Sequence, residues 1–537
     1  MSEQSKKQSF LGGAAILAAA VAVVKVIGAL YKLPLNNILG DVGKTYFQTA
    51  YEIYNVLLTI STAGLPLAIS KLTSQAHARG RENEKRKIFR TAIWLFFLLG
   101  LAGSCLMFFG AQGLADFQRN SMAAAPIRAL APAVFCVCLL ACMRGYTQGQ
   151  GNMTPTAVSQ ILEALCKLFL GLTLAWYFLK LGMGLDIAAA GAILGVTVGT
   201  VLSMCFLVVY LLTHRDRGES LDVPDRAGTL MKRVLAIGIP ITLSNSAMSI
   251  ITLIDTKNVL GRLRTIPELA DSAATLFGQY QFGMNLINLP PSFVYPVTMS
   301  LIPFAAAALS RKDHAGAGRI VSSAFRIIAT LAIPAGVGLS VLGGPALMML
   351  YPRQQADAMA AGPHMRWLGI ACIFICIMTL TNAILQTYGK ERIPIFTVIA
   401  GGITKIVMNY ILVGNPDINI HGAPISTLCC YMVIVGLNLF FVWKYSPEKP
   451  HYIQLFAKPV LASVLMGGAA WAVYGFVNRA LAGSHSAYGA NAIATMVGIC
   501  AGVVAYAILV IALRILRAED VRSIPHGEKL VKLLHLK

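Results

Sequence analysis

The feature that most constrains this chain is a succession of apolar stretches, each about as long as a membrane-spanning helix. A bilayer core about 30 Å thick requires about 20 apolar residues per helix, and the sequence contains fourteen such stretches. Their approximate ranges are 9–33, 45–72, 89–111, 124–145, 154–179, 185–212, 231–257, 273–309, 317–342, 365–388, 393–414, 422–443, 455–477 and 488–513. The sequence therefore predicts an all-α integral membrane protein with about fourteen transmembrane helices.

Composition and charge agree with a membrane protein. Only 12% of the residues are charged while 56% are apolar, and the mean hydropathy is +0.68. A soluble fold carries about 25% charged residues, so a water-soluble enzyme is excluded. The net charge is +21, and the Lys and Arg residues concentrate in alternate loops, as the positive-inside rule requires. This pattern predicts a multi-pass protein of the bacterial inner membrane with both termini cytoplasmic and no nucleic-acid partner.

Three other features argue against a cofactor or a cleaved leader. All eleven cysteines lie in predicted helices and form no CxxC pair with histidine partners, so we expect neither a metal site nor a disulfide framework. The residues GKT at 43–45 resemble the end of a phosphate-binding loop, but Ile38 stands where its first glycine is needed. The basic pair at 6–7 precedes an apolar run that continues through Leu33, too long for a signal peptide.

An internal repeat relates the two halves of the chain. At an offset of 230 residues, the second stretch matches the eighth at five positions: Asp41 and Asp271, Phe47 and Phe277, Asn55 and Asn285, Pro66 and Pro296, Ser70 and Ser300. With a one-residue change in spacing, Gly149, Pro155 and Lys167 recur as Gly389, Pro394 and Lys405. Six helices separate the copies, and an even number preserves orientation, which predicts parallel repeats.

The repeat predicts the domain organisation. We expect an N-lobe at 1–213, a C-lobe at 214–446, and a third part at 447–537 with the last two helices and a cytoplasmic tail. Two six-helix lobes that face each other leave a central cleft, the usual place for alternating access. The expected function is therefore transport.

Two segments carry a family resemblance: KVIGALYKLPLNNILGDVGKTYFQTAYEIYNVLLTISTAGLPLAISK at 25–71 and RGYTQGQGNMTPTAVSQILEALCKL at 144–168. They resemble the polysaccharide-export branch of the multidrug/oligosaccharidyl-lipid/polysaccharide (MOP) flippase superfamily, and within it the stage V sporulation protein B group and the MurJ-like lipid II flippases. The resemblance extends over nearly the whole chain.

The resemblance implies export of an undecaprenyl-pyrophosphate-linked sugar, such as the peptidoglycan precursor lipid II or another cell-wall glycolipid. Helices one, two, seven and eight would line the cavity, and the last two helices would hold the lipid tail. Cell-wall synthesis enzymes would be partners, and we expect a monomer. One departure concerns the cavity arginines of MurJ-like proteins, because Lys25 takes the place of the first and the next two fall near Tyr31 and Thr59.

Intramembrane charges are candidates for function because each costs about 2.5 to 3.5 kcal/mol to insert. The predicted substrate-binding residues are Lys25, Lys32, Glu52, Asn55, Asp255, Lys257 and Asn285, and the predicted gating residues are Pro66 and Pro296. The alternative is a set of structural ion pairs, Lys25 with Glu52 and Asp255 with Lys257 or Lys32. Lys32 and Lys257 lie near helix ends, where their ammonium groups can reach the interface.

Two further lysines lie within predicted helices. Glu163 and Lys167 are four residues apart, a spacing that favours an ion pair on one helix face. Lys405, the repeat partner of Lys167, has Gly401 four positions earlier. It must therefore find a partner on another helix or reach the cleft.

Two other classes of protein are alternatives to a flippase. A multidrug antiporter of the same superfamily would have twelve helices and an acidic N-lobe cavity, whereas this chain has fourteen apolar stretches and Lys25. A membrane-bound acyl- or glycosyltransferase would need paired carboxylates, a His–acid pair or a metal-ligand cluster in a loop, and the sequence shows none. The sequence therefore predicts a transporter, with the flippase first.

Overall fold

The computed structural model describes residues 10–62, 64–117, 120–214, 220–352, 355–481 and 486–515. Within these ranges the α-helices are α1 (Phe10–Thr62), α2 (Leu65–Ala78), α3 (Glu82–Phe109), α4 (Ala111–Phe117), α5 (Ala124–Gly149), α6 (Thr154–Lys180), α7 (Leu185–Thr213), α8 (Ala227–Arg264), α9 (Ala273–Ile287), α10 (Leu289–Ser310), α11 (His314–Leu350), α12 (Gln355–Ala361), α13 (Met365–Thr387), α14 (Ile393–Leu412), α15 (Gly422–Tyr445), α16 (Tyr452–Leu481) and α17 (Ala487–Ala512). Four short 3₁₀ helices, Ser121–Ala123, Pro267–Leu269, Gly362–His364 and Asn419–His421, join some of them. The non-helical residues 220–226 are called the α7–α8 linker below.

The predicted fold class is confirmed. In the described part of the chain, twelve helical stretches are long and apolar enough to cross a membrane, and Gly12–Gly28 is a shorter apolar helix. The twelve correspond in order to the predicted stretches three to fourteen, and the shorter one to the first. The predicted second stretch, 45–72, falls on the end of α1 and the start of α2.

The expected separation of the first two helices is wrong. The backbone is helical from Phe10 to Thr62, with Pro34 inside the helix. An interior proline removes one hydrogen bond and bends a helix, but the helix can continue beyond it. Each glycine in this region costs only about 1 kcal/mol of helix stability relative to alanine.

The eighth stretch is broken at Asn288, where α9 ends and α10 begins. Pro290 and Pro291 fall in the first turn of α10. Backbone N–H groups in that turn have no intrahelical partner, so proline is tolerated there. The prolines therefore mark the start of a helix instead of a kink within one.

The chain forms two compact units. One contains Met1–Ser246 and Ile302–Asp313, and the other Ala247–Leu301 and His314–Lys537. The core of the first is built from apolar faces of α1, α2, α3, α5 and α7, including Tyr54, Ile69 and Phe96. The core of the second includes Ile251, Val398 and Ile434, which come from α8, α14 and α15.

Candidate functional site

The predicted cavity residues of the N-terminal half lie along α1. Lys25, Glu52 and Asn55 are all exposed, and the Glu52 carboxylate accepts a hydrogen bond from Gln48 Nε2 at 3.3 Å. About 40 Å of helix lies between Lys25 and Glu52, because each residue adds about 1.5 Å. The alternative in which these two form an ion pair is therefore wrong.

Asp255 is the centre of a buried polar cluster between α8 and α14. Its Oδ2 lies 2.8 Å from Lys405 Nζ, and the two side chains are only 6% and 7% exposed. Asn409 Nδ2 donates a hydrogen bond to Asp255 Oδ1. Lys405 thus finds a partner on another helix, the first of its two expected alternatives, whereas the partners expected for Asp255 were Lys257 and Lys32.

Two glycines of α14 allow neighbouring helices to approach closely, and one of them lies beside this cluster. A Cβ at Gly402 would collide with Ile251 of α8, and one at Gly401 would collide with Ile434 of α15. Ile251 and Asp255 are four residues apart and share a face of α8. The close approach at Gly402 therefore brings Asp255 within reach of Lys405.

The contact between α8 and α14 extends beyond the ion pair. Asn258 Nδ2 donates to the carbonyl of Ile406 at 3.0 Å. One turn further on, Arg262 Nε donates to the carbonyl of Tyr410 at 3.2 Å and its guanidinium lies 4.0 Å from the Tyr410 ring centroid. Side chains three and four residues apart on α8 thus contact α14 in succession, which fixes the register of the two helices.

Lys167, the repeat partner of Lys405, has a different environment. Its Nζ donates to Tyr51 Oη at 3.1 Å and lies 4.6 and 5.0 Å from the ring centroids of Tyr51 and Tyr31. The predicted ion pair with Glu163 is wrong, because Glu163 pairs with Arg144 of α5 at 3.2 Å. The two matched lysines therefore have an aromatic partner in one half and a carboxylate in the other.

The remaining predicted residues are placed as follows. Asn285 is exposed near the end of α9, and Pro66 and Pro296 are buried. Pro66 stands in the first turn of α2, so it starts that helix and does not bend it. The side chains of Lys32 and Lys257 lie outside the described residues.

No cofactor site stands out among the described side chains. The part of the chain that the structure describes holds no group of three His, Cys, Asp or Glu residues arranged to bind a metal ion. The charged side chains described above, Asp255, Lys405 and Lys167, instead have amide, carboxylate, ammonium or aromatic partners on neighbouring helices.

Comparison with known proteins places the chain in a family. The polysaccharide biosynthesis protein family matches residues 10–308. Three curated relatives from Bacillus subtilis (strain 168) are similar over most of their length. They are the uncharacterized membrane protein YabM, 27% identical over 97% of this chain and 96% of its own; stage V sporulation protein B, 24% identical over 97% and 98%; and the lipid II flippase MurJ, 23% identical over 85% and 86%.

A solved structure shares the fold. An outward-facing multidrug resistance transporter of the MATE family, in the MOP superfamily, superposes with a TM-score of 0.66 at 16% identity, over 82% of this chain and 98% of its own. The chain therefore belongs to the polysaccharide biosynthesis protein family. It is a multi-pass membrane protein, and its fold is that of a transporter of the MOP superfamily.

Proposed function

We propose that the chain is a flippase that exports an undecaprenyl-pyrophosphate-linked sugar across the bacterial cell membrane by alternating access. The observation that carries the proposal is its similarity, over nearly its whole length, to stage V sporulation protein B and, over 85% of it, to the lipid II flippase MurJ. Lys25 supports it, because an exposed cation on α1 suits an anionic headgroup. Residues 1–213 and 214–446 would form the two lobes, and Pro66 and Pro296 would lie at their gates.

The last helix, α17, supports a role in holding the lipid tail. The described part of α17 is anchored to α11 by Asn491 Nδ2, which donates to the Pro345 carbonyl at 3.1 Å, and by Tyr506 Oη, which donates to the Thr330 carbonyl at 2.9 Å. Apolar side chains such as Val503 remain exposed on the same helix. An apolar surface of this kind suits a polyprenyl chain within the bilayer.

The membrane potential supplies a driving force for such a substrate. Moving one charge through 100 mV is worth about 2.3 kcal/mol. A pyrophosphate with two negative charges therefore gains about 4.6 kcal/mol on outward movement when the cell interior is negative. No nucleotide hydrolysis is needed for net export.

The direct test is flipping by the purified protein in vesicles. A fluorescent undecaprenyl-pyrophosphate sugar should move between leaflets faster than in protein-free vesicles. A membrane potential that is negative on the side from which the lipid leaves should accelerate this movement. The alternative is an organic-cation antiporter, which the shared fold with a multidrug transporter favours. Export of a fluorescent cation in exchange for Na⁺ or H⁺, with no lipid flipping, would establish that alternative instead.

The topology of the proposal predicts which loops a membrane-impermeant thiol reagent reaches. In a background without native cysteines, Arg79→Cys, after α2, should be labelled only from the cytoplasm, because basic residues crowd this loop. Ala480→Cys, at the end of α16, should be labelled only from outside. Periplasmic labelling of Arg79→Cys would reject cytoplasmic termini.

A further inference from the structure

The α7–α8 linker is fixed to the first turn of α3. The Asp222 carboxylate accepts hydrogen bonds from the backbone N–H groups of Asn83 and Glu84, both at 2.9 Å. Burial acts to raise the pKa of Asp222, but these bonds, a hydrogen bond from Ser220 and the nearby Arg81 outweigh it and hold the pKa below its ordinary value. These hydrogen bonds therefore hold the linker against the start of α3.

A cavity of about 740 Å³ lies between the α7–α8 linker and the starts of α3 and α8. Arg86, Lys87 and Arg90 of α3 line it, together with Trp94, Pro224 of the linker and Met231 of α8. Residues 86, 90 and 94 are each four apart, so they stand one above another on a single helix face. The cavity is thus lined by cations at the polar start of α3. It is lined by the apolar Trp94 where the hydrophobic part of α3 begins.

The carboxylates near this cavity have partners in the structure, and one partner of Asp222, the backbone N–H of Asn83, belongs to a residue that lines the cavity. Glu82 pairs with His77 at 2.8 Å and with Lys85, Glu84 pairs with Arg81, Asp225 pairs with Arg233 at 2.7 Å, and Asp222 accepts the two N–H groups. No acidic residue is among the described side chains that line the cavity. The side chains that line the cavity therefore carry a net positive charge, which favours an anionic ligand.

An apolar stripe continues from the cavity along α3. Trp94 is 65% exposed and Leu98 is 61% exposed, and Phe97 and Leu101 are exposed beside them. Tryptophan is enriched at the level of lipid headgroups, where its ring meets both water and hydrocarbon. A ligand that fits both regions carries an anionic head and an apolar tail.

We propose that this cavity binds the phosphate headgroup of an anionic membrane phospholipid, whose acyl chains lie along the exposed stripe of α3. Basic pockets beside transmembrane helices attract anionic lipid headgroups, and each cation contributes to the attraction. A free phosphate ion could contact Arg86, Lys87 and Arg90 but would make no contact with the stripe, whereas a phospholipid would contact both. The site differs from the proposed substrate path, in which Lys25 of α1 binds the headgroup.

Brominated lipids and the fluorescence of Trp94 test the proposal. A full-length protein that keeps only Trp94 is made by replacing the other tryptophans with phenylalanine: Trp176, Trp367, Trp443 and Trp471. It is reconstituted in phosphatidylcholine vesicles with increasing fractions of brominated phosphatidylglycerol, or of brominated phosphatidylcholine with the same chains. We expect half-maximal quenching at a fraction about tenfold lower for phosphatidylglycerol, because several cations act together.

Matched variants separate charge from packing. Arg86→Gln/Arg90→Gln should reduce the preference for phosphatidylglycerol to within about twofold, whereas Arg86→Lys/Arg90→Lys, which keeps the charge, should retain most of it. Lys390→Gln/Arg392→Gln, in the other unit, should leave it unchanged. Equal quenching by the two lipids, a preference that survives the Gln double variant, or relief of quenching by inorganic phosphate would each overturn the phospholipid site.

Discussion

Lys25→Ala should reduce flipping of a pyrophosphate-linked lipid by about 30-fold or more while the protein still folds. An anion that enters a low-dielectric site loses hydration, and one hydrogen bond from a charged donor is worth about 2 kcal/mol, which corresponds to about 30-fold. Lys25→Arg should retain part of the activity because the charge remains while the geometry of the donor changes. Lys25→Glu should be worse than Lys25→Ala, since it opposes the phosphate with a like charge.

The matched control for this series is the double exchange Lys25→Glu/Glu52→Lys. If the two residues acted only as an ion pair, the exchange would restore the activity that each single change removes. Since about 40 Å of helix separates them, we expect no rescue. Wild-type flipping by Lys25→Ala vesicles, or rescue by the exchange, would exclude Lys25 as the headgroup ligand.

Lys405→Met should lower the stability of the folded protein by about 3 to 5 kcal/mol, because it leaves the Asp255 carboxylate buried without its cation. Asp255→Asn should have a comparable effect for the converse reason. The double variant Asp255→Asn/Lys405→Met should be much closer to the wild type than either single variant, since it removes both charges together. The measurement is the temperature at which the detergent-solubilised protein loses its monodisperse peak in size-exclusion chromatography.

The Arg144–Glu163 pair is the internal control for that prediction. Its side chains are 17% and 27% exposed, against 7% and 6% for Lys405 and Asp255. A pair that keeps part of its solvation loses less when one partner is removed. Glu163→Gln should therefore lower the transition temperature less than Asp255→Asn does. Equal losses, or additive losses in the Asp255 and Lys405 double variant, would contradict a coupled buried pair.

Most transmembrane helices were predictable from the sequence because each apolar run is long enough to cross the bilayer core by itself. The join between the first two was missed, since proline and glycine lower the stability of a helix without deciding whether it ends. The absence of an acid four residues before Lys405 indicated either a partner on another helix or a place in the cleft, and the structure shows the partner. Local spacing did not reveal that this partner is Asp255, because their contact joins positions far apart in the chain.

The same limit applies to Glu163 and Lys167. An (i, i+4) spacing permits an ion pair, but the tertiary structure offered Glu163 an arginine on α5 and offered Lys167 two tyrosine rings on α1. Side chains on a helix surface exchange weak local pairs for better long-range ones, because a local pair is worth only about 0.2 to 0.5 kcal/mol. The sequence contains Arg144, the actual partner of Glu163. Because the two residues lie on different helices, their spacing in the sequence does not predict that they meet.

The hydrogen bonds from Asn83 and Glu84 to Asp222 have a consequence for biosynthesis. The first turn of α3 is capped by a residue that follows it by 139 and 138 positions, so α3 leaves the ribosome long before its cap exists. Until then, its leading N–H groups rely on water. A fragment that ends before the linker should have a frayed start of α3, and adding the linker as a separate peptide should restore its protection from hydrogen exchange.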